Sequence, residues 1–110
     1  MMKPRYHFYT IFDWMHKTLE LKGNELFIFA YIYSYTVSNG GTGRFYGSAK
    51  GLCEEFGITE PTVNSTLKKL VAKNYLCKFY NGSKGFCKDI DYVANIDFLK
   101  SKGIQVEFIN

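Results

Sequence analysis

The stretch GITEPTVNSTLKKLVAKNYL, residues 57–76, carries Ile58, Val63, Leu67, Leu70 and Val71 at helical spacing, has no acid after Glu60 and gains lysines toward its end. At about 100° per residue, Val63, Leu67 and Leu70 share one face and Pro61, Thr62, Ser65, Lys68 and Lys69 lie on the opposite side. Thr59 is placed to cap this helix, with Ile58 before it to staple onto Val63. Pro61 falls in the first turn, where its missing N–H costs nothing. The helix is expected to run to Lys73, with Asn74 as its left-handed terminator. One side is built for a core, and the other is small, polar and basic.

Working upstream, Ser48 is a candidate N-cap for a helix from Ala49 to Phe56, with Gly57 as the left-handed residue that ends it. Residues 44–46, RFY, suit a short strand. A longer helix from Gly23 to Ser38 is apolar on most faces (Leu26, Phe27, Ile28, Phe29, Ile32, Val37), as suits a central helix that others pack against. Residues 8–12 suit an extended segment, and Asp13 is a cap candidate for a short helix through Leu19.

Working downstream, YLCKFY (residues 75–80) and GFCKDIDYV (residues 85–93) flank Asn81-Gly82-Ser83-Lys84-Gly85, and Asn-Gly between alternating runs signals a hairpin. Asp89 and Asp91, alternating with Ile90 and Tyr92, are expected to face solvent. A last short helix is expected from Ile96 to Lys102, stopped by Gly103.

A chain of 110 residues, 46% hydrophobic and 18% aromatic, suits one domain over residues 1–110 with an ample core. Three cysteines, Cys53, Cys77 and Cys87, form no C-x-x-C pair and have no nearby His at zinc spacing, which favours reduced thiols packing as small apolar groups. A Cys77 to Cys87 contact across the hairpin is the alternative. The opening MMKPRYHFYTIFDW has no signal-peptide core, and the apolar run ELFIFAYIYSYTV is shorter than the roughly 20 residues of a membrane span. A cytoplasmic location without membrane contact is expected. Net charge is +4, yet residues 61–88 hold six lysines and no acid, so the remainder of the chain is net negative. The basic surface is local.

The element order is helix, helix, strand, helix, tight turn, helix, hairpin. Cys53, Gly57 four residues later and Val63 six after that, with Leu52, Phe56 and Ile58 between them, resemble a helix-turn-helix. The following LKKLVAKNYL and hairpin make the resemblance one to the winged helix-turn-helix, over residues 21–93. More narrowly, FDWMHKTLELKGNELFIFAYIYSYT and FYGSAKGLCEEFGITEPTVNSTLKKLVAKNYL are similar to helix-turn-helix proteins and replication-initiator N-terminal domains of Gram-positive phages and mobile elements. The resemblance implies an α+β winged helix-turn-helix, with a three-helix core and a small antiparallel sheet, that binds double-stranded DNA in a replication or regulatory role.

The polar face of the helix after Gly57 suits a major groove, since it offers no negative charge to repel phosphate and has hydroxyl and amide groups to reach base edges. Thr62, Asn64 and Ser65 are the base-edge candidates. Lys68, Lys69 and Lys73 suit the flanking phosphates, and Thr59 and Pro61 complete the helix start. Lys84 with Asn81 and Ser83 would form a wing reaching the backbone or minor groove, as winged-helix proteins do. Ser48 and Lys50 begin the preceding helix, whose first amides suit a phosphate. Arg44 is a further candidate. DNA-reading relatives often carry Arg or Gln early in the recognition helix, where this chain has Glu60 and Pro61, so the strongest direct guanine contact is missing.

A lysine-rich helix face also serves merely as solvated surface, and it is the clustering on one motif that argues for DNA. The rival is a protein-docking module, marked by an exposed aromatic patch from Tyr6, Phe8 and Tyr9. A homodimer through either terminal segment and a replication or regulatory protein partner also remain open. No catalytic motif or cofactor site is expected, His7 and His16 have no second ligand at metal spacing, and Trp14 suits an anchor for the N-terminal helix.

Overall fold

Val63, Leu67 and Leu70 are buried on one side of a helix that spans Glu60–Ala72. The computed structural model describes residues 9–37, 49–80 and 90–108. In chain order these form α1 (Asp13–Lys17), α2 (Gly23–Val37), α3 (Ala49–Phe56), α4 (Glu60–Ala72), β1 (Leu76–Tyr80), β2 (Ile90–Ala94) and α5 (Ile96–Ser101). The architecture is α+β: three packed helices, α2, α3 and α4, followed by a two-stranded antiparallel sheet, the arrangement of a winged helix-turn-helix.

The turns that aim α4 are set by left-handed residues. Gly57 has φ +67°, and the amides of Gly57 and Ile58 both donate to the Cys53 carbonyl, which ends α3 and reverses the chain within three residues. At the far end Asn74 has φ +70°. Its amide donates to the Val71 carbonyl and that of Tyr75 to the Leu70 carbonyl, a closed cap that points the chain into β1. Gly103, φ +84°, closes α5 the same way: its amide donates to the Lys100 carbonyl and that of Ile104 to the Leu99 carbonyl.

α2 is the central helix, with Ile28, Phe29, Ala30 and Ile32 fully buried and packing on α4, β2 and α1. Trp14 anchors α1 to it: the indole stacks on Phe12 and meets Tyr33 and Phe29 edge-on at 5.2 and 6.1 Å. Asp13 is the first helical residue and not the cap. Phe12 holds the cap position with no side-chain bond, and the Asp13 carboxylate instead faces Lys17, one turn on, at 3.9 Å. Tyr9 packs edge-on against Tyr31 and Phe56, so it serves the core and not an exposed patch.

β1 and β2 pair from Leu76 with Ala94 to Tyr80 with Ile90. The buried Thr36 hydroxyl ties this sheet to α2, donating to the Ile32 carbonyl at 3.1 Å and accepting from the Ala94 amide at 2.8 Å. Asp91, expected to face solvent, is 2% exposed. It shares a sheet face with the exposed Phe79 rather than with Tyr92 and Ala94, so burial on β2 is not confined to the face that alternation had marked as dry. Cys77 is a free, half-buried thiol whose pKa is raised by burial and then by Asp97, which leaves it protonated and apolar in character. The expected strand over residues 44–46, the Ser48 cap, the hairpin tip and Cys87 lie outside the described residues.

Candidate nucleic-acid interface

Pro61, Asn64, Ser65, Lys68, Lys69 and Ala72 are exposed along the side of α4 opposite its buried face. That spacing draws one continuous stripe along the helix, because residues three and four apart are surface neighbours. No carboxylate belongs to the stripe; Glu60, also exposed, sits at its N-terminal edge. The stripe is narrow and small-featured at its start and cationic further along.

Thr59 does not cap α4 through its side chain, as its position had suggested. Thr59 occupies the N-cap position, but its hydroxyl caps no amide and lies 2.9 Å from the Thr62 hydroxyl. Thr62 is half-buried, and its carbonyl accepts the Thr66 hydroxyl at 2.8 Å. The pair trims the edge of the stripe and leaves Asn64 and Ser65 as its exposed hydrogen-bonding side chains. Lys73, the C-cap residue, extends from the helix end to Glu25 in the first turn of α2, with Nζ 2.9 Å from Oε1. Its charge is engaged within the fold.

Beside the stripe, the start of α2 and the flank of α4 enclose an open cleft of about 440 Å³, lined by Lys22, Asn24 and Glu25 on one wall and by Pro61, Thr62, Ser65, Thr66 and Lys69 on the other. Pro61, Ser65 and Lys69 belong to both surfaces, so stripe and cleft are continuous. Lys22 and Asn24 lie 47 and 40 residues or more from Lys69 and Asn64 in sequence, and only the packing of α2 on α4 brings them here. The motif pattern did not single them out; the one signal was their place in the LKGNEL helix start.

Lys50 lies in the first turn of α3. Arg44, Ser48, Asn81, Ser83 and Lys84 lie outside the described residues. Among the described residues, no three His, Cys, Asp or Glu side chains gather as a metal site, and no helix is long and apolar enough to cross a membrane.

Comparison with protein families matches residues 19–76 to a model described as a helix-turn-helix domain. The match runs from the buried Leu19, through α2, α3 and α4, to the first residue of β1, and covers more than half of the chain. Neither curated proteins nor solved structures give a match. The chain belongs to the helix-turn-helix domain family, a family of DNA-binding folds.

Proposed function

We propose that this chain is a non-catalytic, cofactor-independent binder of double-stranded DNA that inserts α4 into the major groove. The observation that carries the reading is the exposed stripe of Pro61, Asn64, Ser65, Lys68 and Lys69, with no acid after Glu60 at its N-terminal edge and a buried apolar face behind it. Asn64 and Ser65 address base edges, Asn64 being suited to adenine. Lys68 and Lys69 address the phosphates on either side. Arg44, Ser48 and Lys50 before and at the start of α3 in sequence, and Asn81, Ser83 and Lys84 between β1 and β2 in sequence, are the further backbone contacts of this reading. Thr59, Thr62 and Lys73 support the interface from its edges.

With no arginine on α4, specificity is modest and rests on Asn64 together with DNA shape. The similarity of its opening helices to replication-initiator domains supports a role in replication initiation or transcriptional regulation on a phage or mobile element, with the chain acting as one domain in the cytoplasm.

Fluorescence anisotropy of a labelled random-sequence duplex, titrated across a salt series, tests this. The wild-type chain should bind with an affinity that falls steeply with salt. The Lys68→Ala, Lys69→Ala double variant should lose roughly two units of log–log slope, about one per phosphate contact. Absence of binding at low salt would turn the domain into a protein-docking module.

A further inference from the structure

We infer that the cleft between α2 and α4 is a second DNA contact, in which Lys22 and Lys69 hold the phosphate backbone of one strand while the α4 stripe occupies the groove. The inference rests on the DNA-binding reading and adds to it a site on α2, outside the helix-turn-helix and the wing.

The cleft has the charge an anion requires. Its lining includes two ammonium groups, one on each wall, and one carboxylate. That carboxylate, Glu25, is held by Lys73 at 2.9 Å, so its charge is offset from outside the cleft. Among the described residues neither Lys22 nor Lys69 has an ion pair of its own, so both remain available to a ligand. The polar groups between them suit phosphate oxygens as well: the Asn24 amide and the Ser65 hydroxyl are donors, and both residues are exposed.

Its place fits a polynucleotide strand and not an isolated anion. The cleft is open, and it shares Pro61, Ser65 and Lys69 with the stripe, so a strand bordering the groove that receives α4 would run into it. A major groove is flanked by two backbones. The α3 side of the motif faces one, and α2 supplies a cationic wall for the other. Lys22 directly precedes Gly23, whose φ of +55° turns the chain into α2, so the lysine leaves the helix axis at its start instead of lying along its buried face.

The test compares the wild-type chain with Lys22→Ala and Lys68→Ala in the duplex salt series, and adds lysine acetylation by an amine-reactive ester, read by mass spectrometry with and without duplex. Lys22 is exposed and not ion-paired, so its replacement leaves the fold intact, which circular dichroism checks. Lys22→Ala is expected to reduce the log–log slope by about one unit and to weaken binding about five- to tenfold at 0.1 M salt, as Lys68→Ala does. In the wild-type chain, duplex should slow acetylation of Lys22 and Lys69 several-fold but not that of Lys100 on α5. If Lys68→Ala loses slope while Lys22→Ala keeps it, and Lys22 is acetylated equally with and without duplex, the cleft contact is overturned and the α4 reading stands. If the wild-type chain binds no duplex at low salt, both fall together.

Discussion

Lys73 at the end of α4 and Glu25 in the first turn of α2 are joined by an ion pair of 2.9 Å across 48 residues of sequence. The contact joins α4 to the start of α2 and pairs one cation with one anion beside the proposed DNA-facing surface. Replacing Glu25 by Gln should therefore free Lys73 for phosphate. Duplex affinity is expected to rise several-fold, with up to about one added unit of salt slope. Stability should change by less than about 1 kcal/mol, because the pair is partly exposed. Anisotropy and thermal denaturation on the one variant read both quantities, and an unchanged affinity would mean that Lys73 lies away from the bound DNA.

That pair also marks where sequence reading stops. Val63, Leu67 and Leu70, the left-handed Gly57 and Asn74, and the hairpin strands were legible because each is a local signal: a spacing, a residue type at a turn, an alternation. The helix-turn-helix followed from them. What local signals do not carry is which polar residues meet in space. No spacing announced that Lys73 pairs with Glu25, and Asp91 looked solvated because an alternating strand was taken to have one dry face. Thr59 has the right backbone for a cap, yet its hydroxyl goes to Thr62. Lys22 and Asn24 enter the candidate site only through the packing of α2 on α4.

The turn between α3 and α4 sets how α4 is presented. An added Cβ at Gly57 meets nothing within 4 Å, so Gly57→Ala isolates the backbone cost of a φ of +67°. The variant should be less stable by about 1–2 kcal/mol, and Gly57→Asn should lose less, since Asn tolerates that conformation, as Asn74 shows in the same chain. Urea unfolding of the two variants gives the comparison. Equal stability of wild type and Gly57→Ala would mean that the turn relaxes out of the left-handed region.

Thr36 is the link between sheet and helix core. Replacing it by Val keeps the shape but removes the acceptor for the buried Ala94 amide, which lies 2.8 Å from the hydroxyl. A buried donor left unsatisfied costs about 1–3 kcal/mol, and that is the loss expected in denaturant unfolding. Thr36→Ser keeps the hydroxyl and should cost less. If Val and Ser behave alike, the hydroxyl is not what holds β2.

Core packing under the stripe can be tested without DNA. Leu70 is fully buried on α4, so Leu70→Ala should destabilise the protein by about 2–5 kcal/mol, through lost burial and the cavity left behind. Lys68→Ala, two residues away and on the exposed face, should change stability by less than about 0.5 kcal/mol. Similar losses from the two variants would contradict the orientation assigned to α4.

Tyr33 makes stability depend on pH at the alkaline end. The side chain is 4% exposed, and its phenol is pushed up to about 12, first by burial and then by the negative charge of Glu107. The folded state thus favours the neutral phenol, and in the unfolded chain the group titrates near its ordinary value of about 10. Below pH 10 both states hold the proton, so the contribution is fully present. Between about pH 10 and 12 the unfolded state releases its proton first, and stability falls by up to about 1.4 kcal/mol per pH unit from this one group. Tyr9 and Cys77, also raised, act in the same direction, so the measurement must be a difference. Tyr33→Phe keeps the ring contacts with Trp14 and Phe29 and removes the titrating group. Urea unfolding from pH 8 to 12 should show the variant losing less stability than wild type above pH 10, with parallel curves below it. Curves that stay parallel to pH 12 would mean that the phenol titrates alike in both states and that the fold does not enclose it.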